Sequence, residues 1–150
     1  MSDVTRFVGP NSRDTPTALQ EIESGGKVTH WMWYEFPQIS GLGSSPTAIE
    51  YAIRDLDEAV AFLQHPLLGA NYRDLVRAVH DQVTRRGLTI NDLFGVPDDH
   101  KLVSSLTLFE QAARHLDDTD LASLCRALLD AAVAEGYSPC AHTRARLGIA

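Results

Sequence analysis

Apolar residues in this chain recur every three or four positions, and this spacing constrains the fold more than any other feature. The clearest stripe runs from Leu121 to Val133 and is followed by Gly136. A second stripe lies within residues 72–86. Residues at this spacing share one face of an α-helix, whereas a half-buried strand alternates with a period of two. No part of the chain shows a sustained alternating pattern, so the sequence predicts helices throughout.

Proline, glycine and capping residues separate about eight such segments. The sequence therefore predicts an all-α fold, a compact single domain of about eight short helices that spans residues 1–150. We expect Gly9-Pro10-Asn11 to end a first helical turn and Thr15-Pro16 to begin the next helix. Gly69 is expected to permit a turn, and Thr119 is expected to cap the helix with the clearest stripe.

Composition argues against a nucleic-acid or membrane partner. The net charge of −7 disfavours a broad attraction to phosphate backbones or anionic lipid. No apolar run approaches the ~18 residues of a membrane span. The first residues also lack a signal-peptide pattern, so we expect a cytoplasmic protein. The two cysteines, Cys125 and Cys140, form no CxxC pair, and a buried free thiol is the simplest interpretation of Cys125.

The segment from His30 to Ser45, HWMWYEFPQISGLGSS, differs from the helical stretches around it. It contains both tryptophans, Trp31 and Trp33, followed by a loop with two glycines. Its apolar residues would occupy both faces of a strand or of a helix, which predicts burial in either case. The surroundings favour a short helix ended by Pro37, because proline disfavours helical geometry in the residue before it. At least one tryptophan is expected in the core, although the rings could also form a stacking wall for a flat ligand.

The loop Gly41-Leu42-Gly43-Ser44-Ser45-Pro46 allows two interpretations. It is rich in glycine, contains two hydroxyls and leads into a helix, whose free N-terminal amides attract anions. It lacks the GK[ST] ending of a P-loop and the GxGxxG spacing of a dinucleotide site. The loop is therefore either an anion or nucleotide site, or a tight turn in which Ser45 caps the following helix.

A second polar block lies in a helix predicted over about residues 98–115. Two aspartates at its start complement the helix dipole. Lys101 precedes Ser104 and Ser105 by three and four positions, which brings an amine and two hydroxyls together on the helix. This group resembles a nucleophile and base in outline, but a polar helix surface also explains it. The six histidines are not spaced three or four apart, and no pattern predicts a metal site.

These two blocks resemble the family of domain of unknown function 1810. RFV near the start, HWMWYEFPQISGLGSSP, HPLLG, LFG and SSLTLF occur in the order typical of that family, over about residues 6–110. The resemblance implies a compact all-α bacterial or fungal domain without an established activity. Some members carry the label calpastatin, but nothing in this chain resembles the disordered inhibitory repeats that the label describes.

The resemblance also implies which residues matter. The motif residues are His30, Trp31, Trp33, Pro37, Gln38, Gly41, Gly43 and Ser44 in the first block, and Lys101, Ser104, Ser105, Thr107 and Phe109 in the second. Polar residues recur in both blocks, which implies a shared polar site. Near the C-terminus the family favours an Asp three residues before a Thr, whereas here Cys140 precedes Thr143.

We therefore expect a small anionic or nucleotide-like ligand at a site formed by segments 30–45 and 99–107. The candidate ligand-binding residues are His30, Trp33, Gln38, Gly41, Gly43, Ser44, Lys101, Ser104 and Ser105. Lys101 would contact the anionic group, and His30 would be the candidate acid or base. The alternative is a protein-interaction or adaptor domain without catalysis, which would use an exposed surface of Trp31, Trp33 and Tyr34. No motif identifies a cofactor, and the sequence leaves both enzymatic activity and the oligomeric state open.

Overall fold

A computed structural model describes residues 3–149, and helices account for the regular structure in this range. After a 3₁₀ turn at Thr5–Phe7, the helices are α1 (Val8–Glu23), α2 (Met32–Glu35), α3 (Pro46–Glu50), α4 (Leu56–Gln64), α5 (Pro66–Thr84), α6 (Ile90–Phe94), α7 (Asp98–His115), α8 (Thr119–Glu135) and α9 (Ala141–Arg146). In the described range the only extended pairing is one isolated bridge, between Ile39 and Ile53. The predicted all-α class is confirmed, with nine α-helices between residues 3 and 149 where about eight were expected.

Helix α7 lies at the centre of the molecule. Helices α4, α6, α8 and α9 all pack against it, and every residue from Leu102 to Glu110 is buried. The pair formed by α1 and α5 completes the fold, with α5 also contacting α4 and α8. Because α7 is enclosed on several sides, its polar residues need hydrogen-bond partners from the neighbouring elements.

An aromatic cluster lies between α4, α5 and α7. Tyr72 of α5 is central to it, with ring centroids 4.3 Å from Phe109 and 6.2 Å from Phe62. Phe36 approaches Tyr72 edge-on at 5.7 Å, and Trp31 lies 6.1 Å from Phe36. Such edge-on and tilted arrangements are the favourable ones for aromatic rings. Trp31 and Phe36 of the 30–45 segment are therefore part of the core.

The predicted break at Gly9-Pro10-Asn11 is wrong, because α1 runs through it. Pro10 is the third residue of the helix, where a missing N–H removes no helical hydrogen bond. Pro16 lies inside α1 instead of starting a helix. The helix continues past it because Asn11 and Thr15, one turn apart, are buried and form hydrogen bonds to α2. Tertiary contacts here outweigh the local signal of two prolines.

Two further boundaries differ from the prediction. Gly69 lies inside α5 rather than in a turn, because α5 begins at Pro66 directly after α4. A Cβ at position 69 would stand 2.0 Å from the Leu63 carbonyl oxygen, so glycine permits the close approach of the two helices. Helix α8 is capped by the Asp118 side chain and not by Thr119, one residue later.

Candidate ligand site between α2, the glycine loop and α7

The two polar blocks of the sequence meet in the structure. The Ser104 hydroxyl donates a hydrogen bond to Gln38 Oε1 over 3.2 Å. One turn earlier on α7, Lys101 Nζ lies 4.0 Å from the centre of the Trp33 ring. Residues three apart share a face of a helix, so Lys101 and Ser104 both face the 33–38 segment. The structure thus brings together four of the candidate residues, Trp33, Gln38, Lys101 and Ser104.

Backbone and side-chain hydrogen bonds hold the start of the glycine loop, which we define as residues 41–46. The amide of Ile53 donates to the Gln38 carbonyl oxygen, and the amide of Ser40 donates to the Ile53 carbonyl oxygen, each over 2.7 Å. The Ser40 carbonyl oxygen accepts from Arg146 Nη1 over 2.8 Å and lies 2.9 Å from His142 Nε2. Helix α9 therefore anchors the point at which the glycine loop begins.

Glycine is required at two positions of this loop for different reasons. Gly41 has a φ of +102°, in the left-handed region, and a Cβ there would stand 2.8 Å from the His142 ring. A Cβ at Gly43 would stand 2.7 Å from Ala48 Cβ. Ser45 Oγ accepts a hydrogen bond from the Ala48 amide over 3.1 Å and so caps α3, as the turn interpretation predicted. Gly41, Gly43 and Ser44 are exposed, and their contact with an anion stays a prediction.

Ser105 faces away from the other candidates. It is fully buried, and its hydroxyl lies 3.0 Å from the Tyr72 hydroxyl. One step along a helix rotates a side chain by roughly 100°, so Ser104 and Ser105 cannot face the same segment. Ser105 is therefore not among the residues that the structure brings to this site. Its hydroxyl instead forms a hydrogen bond with the hydroxyl of Tyr72 in the core.

Both lysines of the chain, Lys27 and Lys101, lie at the site. Lys27 Nζ is 2.8 Å from Asp98 Oδ2 and Lys101 Nζ is 3.2 Å from Asp98 Oδ1, so one carboxylate bridges two amines. Each amine also stands over an indole ring, Lys27 at 5.0 Å from Trp31 and Lys101 at 4.0 Å from Trp33. These distances are favourable for cation–π attraction. Lys27, Lys101 and Asp98 together carry a charge of +1, in a chain with a net charge of −7.

The two lysine–tryptophan pairs differ in exposure. Trp31 is 1% exposed and the Lys27 side chain is 5% exposed. Trp33 is half-buried and the Lys101 side chain is 21% exposed. The predicted interaction surface of three rings does not form, because Trp31 lies in the core. Of the three rings, only Trp33 and Tyr34 reach the surface.

Two glutamates, Glu21 and Glu35, form hydrogen bonds on the buried side of the His30–Ser45 segment. One is ionised near neutral pH and the other is protonated. Burial opposes ionisation of Glu21, but hydrogen bonds from Thr29 and from Trp31 Nε1 outweigh it and lower the pKa of Glu21 to about 2. Glu35, on the inner side of α2, has carboxylate oxygens 2.5 and 2.9 Å from Thr15 Oγ1. Burial raises the pKa of Glu35 to about 8, and the hydrogen bond from Thr15 only partly opposes it. Near neutral pH, Glu21 is charged and Glu35 is protonated.

A cluster of three polar side chains lies behind Gln38. Thr143 Oγ1 is 3.5 Å from Ser104 Oγ, and Cys140 Sγ lies 3.0 Å from Thr143 Oγ1 and 3.6 Å from Ser104 Oγ. Thr143 is fully buried, whereas Cys140 is partly exposed. Position 140 is the N-cap of α9, but the thiol forms no capping hydrogen bond. The Asp that the family resemblance implies at this position would place a carboxylate beside both hydroxyls.

Sequence reasoning missed Lys27 and treated Asp98 only as a complement to the helix dipole. A signal was available, because a chain with eleven arginines has only two lysines, and one of them lies three residues before the segment that begins at His30. His30, by contrast, is exposed and forms no hydrogen bond, ion pair or ring contact within residues 3–149. Its role as an acid or base stays a prediction.

Little enclosed space separates Trp33 and Gln38 from the glycine loop. The cavity between them has a volume of about 10 Å³, roughly the space that one water occupies. A larger ligand must therefore lie over the exposed edge of Trp33 or displace the loop.

The described residues offer neither a metal-binding cluster nor a membrane-spanning helix. Among residues 3–149, no three His, Cys, Asp or Glu side chains are grouped so that they could hold a metal ion. None of the described helices is long and apolar enough to cross a membrane.

The chain is similar in sequence and fold to a protein of known structure. The crystal structure of the conserved hypothetical protein Rv1873 from Mycobacterium tuberculosis shares 38% sequence identity with it, over 99% of this chain and 98% of that chain, with a TM-score of 0.82. No curated protein matches the chain. Residues 1–135 match the family described as Protein of unknown function (DUF1810). Since this match covers most of the sequence, the chain belongs to the DUF1810 family.

Proposed function

We propose that this protein binds a small molecule with an anionic group, such as a nucleotide or a sugar phosphate, at the face formed by Trp33, Gln38, Lys101 and Ser104. The observation that carries the proposal is the contact between the Lys101 amine and the Trp33 ring. This contact joins a cation and a flat apolar surface at a partly exposed place, the two features that a phosphorylated ring compound needs. Gln38 and Ser104 supply polar groups that would orient the ligand.

The geometry of Asp98 makes the Lys101 charge available to a ligand. Lys27 holds Asp98 at the shorter distance, and the buried Lys27 amine also donates to the Thr29 carbonyl oxygen over 2.6 Å. An approaching anion therefore needs to weaken only the longer ion pair, between Lys101 and Asp98. The ligand would then replace one charge-assisted contact of Lys101 by another, while Asp98 keeps its ion pair with Lys27.

A ligand that does not lie over the exposed edge of Trp33 requires the glycine loop to move outward. Every residue from Gly41 to Pro46 is exposed, whereas Ile39 before them is buried. A Cβ at Gly43 would lie 3.9 Å from Trp33 Cη2, so the loop covers this edge of the ring. An outward shift of the exposed loop would uncover this edge of the indole without disturbing the hydrogen bonds that hold Ser40.

The test is a titration of the protein with AMP, ATP, glucose 6-phosphate and pyrophosphate, followed by thermal unfolding and by tryptophan fluorescence. We expect at least one probe to raise Tm through mass action and to change the fluorescence, and we expect the fluorescence change to be lost in Trp33→Phe. Lys101→Met keeps the apolar stem and removes the charge, so it should weaken binding by about tenfold or more.

The matched control is Arg85→Met, which removes an exposed cation at the end of α5, outside the site. This variant should bind with wild-type affinity. The proposal is wrong if none of the four probes shifts Tm at millimolar concentration, or if Lys101→Met binds as tightly as the wild type.

A further inference from the structure

We infer that the protein has a second, independent site, which binds a small organic carboxylate in a cavity between α7, α8 and the C-terminal segment. The cavity has a volume of about 220 Å³. It shares no lining residue with the Lys101 site. One wall comes from residues after 135, beyond the part of the chain that matches the family.

The inner wall of the cavity is apolar. Val103 of α7 and Leu129 and Ala132 of α8 are buried and line it. Pro139 and Ile149 of the C-terminal segment lie on the opposite side. Hydrophobic burial between these surfaces would favour the aliphatic or aromatic body of a ligand.

Among the described residues that line the cavity, arginines outnumber acidic residues. Arg114, Arg126 and Arg144 line it, and Glu110 is the one acidic residue among the described lining residues. Glu110 is 3% exposed, and its carboxylate accepts hydrogen bonds from Arg114 Nη2 over 2.9 Å and from Arg126 Nη1 over 3.3 Å. A carboxylate so deeply buried requires such partners. Glu110 therefore holds two guanidinium groups at the mouth of an apolar cavity.

Arg114 is the residue that can bind the ligand. A guanidinium group has five N–H donors, and within residues 3–149 the guanidinium of Arg114 forms one hydrogen bond, the bond to Glu110. Arg126 is more fully engaged, because it is also paired with Asp130 at 3.2 Å. The Arg114 side chain is 54% exposed, so its remaining donors are accessible. Their planar fork matches the two oxygens of a carboxylate.

The size and lining of the cavity restrict the ligand class. Pockets for drug-sized ligands enclose roughly 300–1,000 Å³, so a cavity of about 220 Å³ suits a smaller molecule. An apolar wall opposite an arginine fits a monocarboxylate with a short alkyl chain or a single ring. Hexanoate and benzoate represent these two shapes.

The test is a titration of the full chain with hexanoate and benzoate, monitored by the backbone amide resonances in NMR spectra. Hexanamide and benzamide are the matched neutral controls. We expect the carboxylates to shift resonances of residues that line the cavity, and we expect the amides to bind about tenfold more weakly because they lack the charge. Arg114→Gln should weaken carboxylate binding by about the same factor, while Arg85→Gln should not change it.

Two further variants test whether the carboxylate binds in this cavity and not at the Trp33 face. Lys101→Met should leave carboxylate binding unchanged, so that failure of the ligand site at Trp33 and failure of this site can be distinguished. Ala132→Leu places a larger side chain in the cavity and should weaken benzoate binding. The inference is overturned if the carboxylates do not bind at tens of millimolar, if acids and amides bind equally, if the shifted resonances lie elsewhere, or if Arg114→Gln binds like the wild type.

Discussion

Trp31 and Trp33 are two residues apart and each lies beneath a lysine, yet they belong to different regions of the molecule. The inner pair, Lys27 and Trp31, is almost fully buried, and its indole N–H donates to Glu21 over 2.9 Å. The outer pair, Lys101 and Trp33, is partly exposed. The same two side-chain types therefore serve as a structural anchor in one place and offer an accessible cation and ring in the other. Burial, and not residue type, separates the two roles.

The largest expected effect is the difference in stability lost when each of the two tryptophans is replaced. Trp31→Ala should lower the free energy of unfolding by about 3–5 kcal/mol, since it removes a fully buried ring and one of the hydrogen bonds to Glu21. Trp33→Ala should cost about 1 kcal/mol, because half of the ring already contacts solvent. Denaturant unfolding of the two variants at one pH measures both values. If the two variants lost the same free energy of unfolding, the distinction between the inner and the outer pair would be wrong.

The inner side of α2 should also make stability depend on pH through Glu35. Its pKa of about 8 in the folded protein lies above the ordinary value of 4.5, so the folded state binds this proton more tightly than the unfolded state. The contribution of this carboxyl to stability is therefore complete below pH 4.5 and is lost as the pH rises through 8. Between pH 5 and pH 8 the loss is about 3 kcal/mol.

Glu35→Gln keeps a polar partner for Thr15 and removes the titration. The variant should gain stability over the wild type as the pH rises from 5 to 8, as measured by denaturant unfolding across that range. Glu23→Gln, at an exposed position of α1, is the control and should follow the wild type. A constant difference between Glu35→Gln and the wild type would mean that Glu35 does not titrate in this window.

The loss of stability on substitution should differ less between the two lysines than between the two tryptophans. The inner residue should again cost more than the outer one. Lys27→Met should cost about 1–2 kcal/mol, because a buried charged hydrogen bond to Asp98 is lost while Lys101 still pairs with that carboxylate. Lys101→Met should cost less than about 1 kcal/mol, as expected for a partly exposed ion pair. Unfolding in low and high salt provides the check, since screening should reduce only the Lys101 effect. A larger cost for Lys101 would reverse the assignment of inner and outer roles.

A small effect is also expected at the polar cluster behind the outer pair. Cys140→Asp should raise the free energy of unfolding by about 1 kcal/mol, because a carboxylate at the N-cap of α9 can accept the backbone hydrogen bond that the thiol does not. Cys140→Ala has no acceptor and serves as the comparison. A destabilising Cys140→Asp would show that the surroundings of Ser104 and Thr143 have adapted to the thiol.

Local patterns in the sequence were sufficient for most of the helices. Apolar spacing predicted the stripes of α5 and α8, and the predicted cap at Ser45 is present. These features depend on residues three or four positions apart, which a sequence displays directly. The predictions failed at α1 and Gly69, where contacts with distant elements override the local preference of proline and glycine.

The sequence by itself determined the helical class, several helix boundaries and the two polar blocks that hold the candidate site. Only the tertiary structure decided that Trp31 is buried while Trp33 reaches the surface, that Ser104 and not Ser105 faces Gln38, and that Lys27 joins Lys101 at Asp98. The reason is physical: periodicity identifies the apolar faces of a helix, but burial of a given side chain depends on how each helix is rotated against partners that are far away in the chain.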